Sequence, residues 1–81
     1  MNVIKFAAIM QEKLDSNDFK EHWSGMGLQY LFMRLSQEVN ELSRANRLKY
    51  SPDKVDREAA DVANFAMMIA DNYREQWEVG K

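Results

Sequence analysis

The sequence predicts an all-α protein: a three-helix chain that forms a four-helix-type bundle through homo-oligomerisation. Three observations predict it. Apolar residues recur at steps of three and four, as Leu28, Leu31, Leu35, Val39 and Leu42, and again as Val55, Ala59, Val62, Ala66, Ile69, Tyr73 and Trp77, which is the spacing of one helix face. Helix start signals stand where these runs begin, most clearly Ser51-Pro52-Asp53. Finally, 46% of the 81 residues are hydrophobic, with two Trp, three Tyr and four Phe, and there is no cysteine. That is more apolar surface than three short helices can hide on one inner face, and a small domain without disulfides gains stability by associating.

The first helix is expected from Asn2, its N-cap, to about Ser16, with Ile4, Ala7, Ala8, Met10 and Leu14 turned inward and Phe6 and Ile9 widening the apolar face. Asn17 to Gly27 is a connection, rich in turn-forming residues. It also carries Phe19, His22, Trp23 and Met26. That much apolar surface predicts that part of it folds back onto the body or onto a ligand. The second helix is expected from Leu28 to about Leu48. After a break at Lys49 to Ser51, the third runs from Pro52 to about Val79. Ser51 caps it, Pro52 fits its first turn and Asp53 complements the helix dipole there. At a rise of about 1.5 Å per residue the third helix is about 40 Å long, more than short partners within one chain can cover. Residues 1–81 form a single domain.

A net charge of −2 and the lack of a basic patch argue against polymeric nucleic acid as a partner. No segment approaches the about 20 apolar residues of a membrane span. Lys5 and Glu12 leave no long apolar run between them, so no signal peptide is expected. The absence of cysteine fits a cytoplasmic location.

Glu38 and Glu41 stand three apart in the second helix, and Glu58 and Asp61 three apart in the third. Other acidic pairs share this spacing, but they fall in the connection, in a first helical turn or near a helix end. The two featured pairs each precede a stripe residue, Val39 and Leu42 or Ala59 and Val62, and so flank the seam by about 100° in the same sense. Along their own faces they run into Ala45 and Leu48, and into Phe65 and Met68. They interrupt a second apolar stripe, where a solvated face would continue polar. Half-buried carboxylates need compensation. Interhelical salt bridges to Arg44, Arg47, Lys54 and Arg57 supply it in one reading, a bound cation in the other. An all-carboxylate set favours Mg²⁺, with Mn²⁺ also suited, over zinc or copper. A di-iron bundle wants Glu-x-x-His pairs, and the one histidine, His22, lies in the connection. Mg²⁺ commonly takes substrate phosphates as further ligands, which points to phosphate-ester or phosphoanhydride chemistry.

The pattern Glu38-Val39-Asn40-Glu41, sixteen intervening residues, then Glu58-Ala59-Ala60-Asp61 resembles that of the all-α nucleoside triphosphate pyrophosphohydrolases, the superfamily of MazG-like proteins and dimeric dUTPases. "LSQEVNELSRA" and "REAADVANFAMMIADN" are similar to a small MazG-like subgroup. "NDFKEHW" resembles that subgroup's Asn-Asp-His-Lys-Gly-Gly-Trp stretch and departs from it at Phe19, Glu21 and His22. The resemblance covers roughly residues 10 to 73. It implies Mg²⁺-dependent hydrolysis of a nucleoside triphosphate to monophosphate and pyrophosphate, in a homodimer or a dimer of dimers, with the clearing of aberrant or excess nucleotides as its purpose. Glu38, Glu41, Glu58 and Asp61 would be the ligand set, with a Glu of the first pair, Glu38 or Glu41, as base. Lys54, Arg57 and Lys20 would offset triphosphate charge.

Asn64, one turn beyond Asp61, offers both a donor and an acceptor to a base edge, and Trp23 or Phe19 offers a stacking surface. The plainer alternatives are an interface hydrogen bond for Asn64 and a core anchor for Trp23. Met67, Met68 and Ile69 are expected in the core or an interface. Against the enzyme stand two rivals: a non-enzymatic helical interaction module, and a nucleotide-binding sensor without turnover.

Overall fold

The computed structural model describes residues 1–16 and 23–80, and every element among them is helical: α1 (Val3–Ser16), α2 (Leu28–Arg47) and α3 (Pro52–Val79). Local chemistry sets their ends. The Asn2 side chain accepts a hydrogen bond from the Lys5 N–H at 2.9 Å, capping α1. Ser51 Oγ accepts from the Lys54 N–H at 3.5 Å, a long cap on α3. Past the end of α2, Lys49 takes a left-handed conformation with φ 56°. The Tyr50 N–H then reaches back to the Ala45 carbonyl at 3.0 Å, and the Leu48 N–H to that of Arg44 at 2.9 Å, which closes off the helix.

α3 is the central element, with α2 and α1 both packed along it. Its 28 residues make about 42 Å of helix at 1.5 Å per residue. The described chain measures 46 × 25 × 22 Å along its principal axes, so α3 sets its length. The core gathers Leu14 of α1, Leu31 of α2, and Phe65 and Met68 of α3, with Trp23, Met26, Leu35 and Ile69 packed against them. Trp23 and Met26 thus do fold back onto the body. Phe19 and His22 lie outside the described residues.

The inward face of α3 differs from the expected one. Its buried residues are Ala60, Asn64, Phe65, Met68 and Asn72, on the stripe that Glu58 and Asp61 interrupt. Of the stripe expected inside, Val55, Ala59, Val62 and Ile69 are half-buried, and Ala66, Tyr73 and Trp77 are exposed. Both stripes repeat at the helical period, and two helices suffice to cover only one. On α2, Leu31 and Ala45 are buried, while Leu28, Leu35 and Leu42 are half-buried and Val39 is exposed. On α1, Leu14 is buried and Met10 half-buried, as expected. Ile4, Ala7 and Ala8 are exposed, and Phe6, Ile9 and Lys13 take the inward side instead. α1 is apolar nearly all round in its first half, so the contact with α3 decides which flank is covered.

Candidate metal centre

Leu31, Glu38 and Ala45 are seven residues apart on α2, hence within about 20° of one line on the helix surface. Leu31 and Ala45 are fully buried. Glu38 therefore stands at the middle of the inward face, between two apolar anchors. On α3, Asp61 occupies the matching place at the head of Phe65, Met68 and Asn72, with Glu58 one turn before it. Glu38, Glu58 and Asp61 each turn a carboxylate oxygen into one volume, all within 4.8 Å of one another, and all three residues are half-buried. Glu41 is the exception. It sits about 60° off the line of Glu38, is exposed, and does not belong to this group.

Two cations enter the cluster. Lys13 reaches across from α1, its Nζ 3.2 Å from Asp61 Oδ2. Arg34, one turn before Glu38, donates from Nη2 to Glu38 Oε1 at 3.3 Å. Its Nη1 donates to the Tyr30 hydroxyl at 3.4 Å, and its guanidinium lies 5.0 Å from the centre of the Phe65 ring. The hydrogen bond to Tyr30 is the main reason the Arg34 pKa is raised above its ordinary value. Glu38 is also raised, first by burial and then by the negative charge of Asp61, against the opposing pull of Arg34 and with a smaller push from Glu58. Burial and the neighbouring Asp61 thus outweigh the Arg34 contact at Glu38.

The other residues singled out from the sequence are placed as follows. Asn64 is 2% exposed and donates from Nδ2 to the Met10 carbonyl at 3.0 Å. Its donor is thereby committed to α1, while its buried Oδ1 has no hydrogen-bond partner. Trp23 packs on the core and donates from Nε1 to Asp71 Oδ2 at 3.0 Å. Lys54 lies at the far end of α3 from this loop, its Nζ 5.3 Å from the centre of the Tyr50 ring. Arg57 faces Glu12 at 3.9 Å and, with Ile9, Glu12, Asp53 and Asp56, lines an open hollow of about 220 Å³. Lys20 lies outside the described residues.

Sequence reasoning passed over Lys13, Arg34 and Asn72. Each left a signal. Lys13 is a charged residue on the face that Met10 and Leu14 make apolar. Tyr30, Arg34 and Glu38 are four apart, a ladder along one helix side. Asn72 continues the stripe of Phe65 and Met68. It is 2% exposed, and its Nδ2 donates to the carbonyls of Trp23 and Met26, both at 2.8 Å. Two buried asparagines on α3 thus hold the backbone of α1 and of the connection.

Comparison with known protein families, with curated proteins and with solved structures finds no match to this chain. What the fold and the cluster define is an all-α protein with three carboxylates from two helices gathered at the core's edge. No helix among the described residues is long and apolar enough to cross a membrane.

Proposed function

We propose that the chain is a Mg²⁺-dependent nucleoside triphosphate pyrophosphohydrolase that works as a homo-oligomer in the cytoplasm. The observation that carries this reading is the convergence of Glu38, Glu58 and Asp61. The donor set fits the ion: carboxylate oxygens suit Mg²⁺ or Mn²⁺, and a cation would offset the repulsion that Asp61 and Glu58 exert on half-buried Glu38. Glu38, Glu58 and Asp61 would hold the ion, with Glu41 at the rim as the fourth carboxylate. A bound divalent cation supplies charge that neutralises and polarises phosphate oxygens.

The rest falls to the chain's own side chains. Water attacks the α-phosphorus, the bond from that phosphorus to the oxygen bridging it to the β-phosphorus breaks, and pyrophosphate leaves. The water's proton passes to a glutamate of the first pair. Glu38 is held in place by Arg34, whereas exposed Glu41 is free to face the water from the rim. Lys54, Arg57 and Lys20 offset phosphate charge. Asn64 meets a base through its acceptor, and Trp23 lends its ring. Tyr73 and Trp77, stacked with centroids 6.5 Å apart, are 57% and 58% exposed, and Phe32 and Met33 are 54% and 49% exposed. We assign this surface to the contact with a second copy, which would complete a four-helix bundle as a homodimer or a dimer of dimers.

The test is a nucleotide panel with Mg²⁺ or Mn²⁺, read out as pyrophosphate plus monophosphate. Glu38→Gln and Asp61→Asn should each abolish release while leaving helicity intact. Turnover unaffected by both substitutions would refute the site, and no turnover with any nucleotide would refute the activity. A second reading, a helical interaction module, draws on the Lys13–Asp61 and Arg34–Glu38 pairs. It predicts a chain that associates with itself but neither binds Mg²⁺ nor releases pyrophosphate.

A further inference from the structure

Lys13 brings a charge from α1 into the carboxylate cluster, and the way α1 is anchored explains how it gets there. The Asn64 Nδ2 to Met10 carbonyl bond, at 3.0 Å, lies one turn along from the contact of Lys13 with Asp61, at 3.2 Å. Asn64 and Asp61 are three residues apart on α3, and Met10 and Lys13 are three apart on α1, so the two contacts share one stretch of each helix. The buried Asn64 amide therefore fixes the register that sets Lys13 opposite Asp61. Buried Leu14 anchors the same end of α1 in the core. Neither anchor involves the Lys13 ammonium group, so α1 can stay docked while that group moves.

The charges then count in an instructive way. Glu38, Glu58 and Asp61 bring three negative charges, and Arg34 and Lys13 bring two positive ones. With Lys13 in place one negative charge is left over. With Lys13 withdrawn two are left, the charge of a single divalent cation. Arg34 is tied to its own helix through Tyr30 and Glu38. Lys13, by contrast, carries its charge on a flexible four-carbon stem with rotatable donors, and its side chain is 20% exposed.

Resting on the metal-dependent reading above, we propose that Lys13 is an exchangeable counter-ion. It holds Asp61 in the cation-free chain. When a divalent cation takes Asp61, the Lys13 ammonium turns to the anionic polyphosphate of the substrate. Lys13 thus couples occupancy of the metal centre to capture of a polyphosphate, and acts as a substrate-binding residue.

The coupling gives Lys13→Gln effects of opposite sign, which a merely structural lysine would not. Calorimetric titration with Mg²⁺ alone should show binding tightened about three- to tenfold, because the competing charge is gone. Titration with inorganic tripolyphosphate at saturating Mg²⁺ should show binding weakened by about tenfold. Lys13→Arg should restore the second affinity. If both affinities fall together, or neither changes, the inference is overturned. Amine acylation of the wild-type chain gives a readout that needs no variant. Lys13 should react faster when Mg²⁺ is added and be protected again by tripolyphosphate. An unchanged Lys13 rate while Mg²⁺ demonstrably binds overturns this inference and leaves the metal-dependent function standing. Absence of any Mg²⁺ binding, in wild type and in Lys13→Gln alike, removes that function and the inference with it.

Discussion

Replacing Asp61 by asparagine is the most direct probe of the carboxylate cluster. In the cation-free chain the substitution removes two repulsions and one attraction. Glu38 and Glu58 present oxygens no more than 4.8 Å from that of Asp61, and at an effective dielectric of about 20 each such pair costs about 3.5 kcal/mol or more before solvent screening. Lys13 at 3.2 Å returns about 5 kcal/mol on the same scale. With Asp61, Glu38 and Lys13 14–20% exposed in their side chains and Glu58 half-buried, screening shrinks both figures, and they nearly cancel. Asp61→Asn should therefore change cation-free stability by no more than about 1–2 kcal/mol. Mg²⁺ at the proposed site would break the balance, because it would stabilise only the folded, clustered arrangement. At a hundredfold excess over its Kd the gain is about 2.7 kcal/mol, which raises the Tm of a domain this small by about 10–20 °C. The assay is thermal unfolding followed by circular dichroism across a MgCl₂ titration, with KCl at matched ionic strength to subtract screening. Wild type should rise with Mg²⁺ alone and Asp61→Asn should stay flat. An equal rise with KCl, or an undiminished rise in Asp61→Asn, would refute the reasoning.

Glu38 makes a prediction about pH. Its folded pKa lies above the ordinary 4.5 because of burial and of Asp61, so the folded chain holds this proton more tightly than the unfolded one. The cation-free chain should then lose stability as pH rises from below 4.5 through the raised folded value, and Glu38→Gln should flatten that part of the profile in urea unfolding. Lys49 adopts φ 56°, where only glycine is unstrained. Lys49→Gly should stabilise the chain by about 1 kcal/mol and Lys49→Val should destabilise it, as read by the same urea transitions. Asn72→Leu leaves the carbonyls of Trp23 and Met26 without their donor. It should cost about 1–3 kcal/mol, with the increase in amide hydrogen exchange concentrated at residues 23–27.

The helices were legible because their ends are written in local chemistry. Asn2 and the Ser51-Pro52-Asp53 run act on the nearest turn of backbone, and no distant contact alters them. The inward faces were not legible from periodicity. On α3, Val62, Ile69 and Tyr73 form as regular a line as Phe65, Met68 and Asn72, and the choice between them depends on where α1 and α2 lie. The acids themselves held the better clue. Glu58 and Asp61 mark the line that the core of this chain uses, and the line free of acids is left half-covered or exposed. The convergence of Glu38, Glu58 and Asp61 followed from that clue, whereas Glu41 shares the spacing but not the face. Lys13 was hidden for another reason. Its partner is 48 residues away, and only the docking of α1 through Asn64 brings them together.

That docking has a consequence for the order of folding. α2 and α3 are joined by only Leu48 to Ser51, so their pairing closes a short loop at small entropic cost. α1 is instead fastened through Asn64 to Met10, a separation of 54 residues, and through Lys13 to Asp61. Such distant contacts are expected to form late, after the barrier is crossed. In stopped-flow measurements, Asn64→Ala should leave the refolding rate nearly unchanged and speed unfolding. α1 would then be the element whose detachment sets how long the native chain endures.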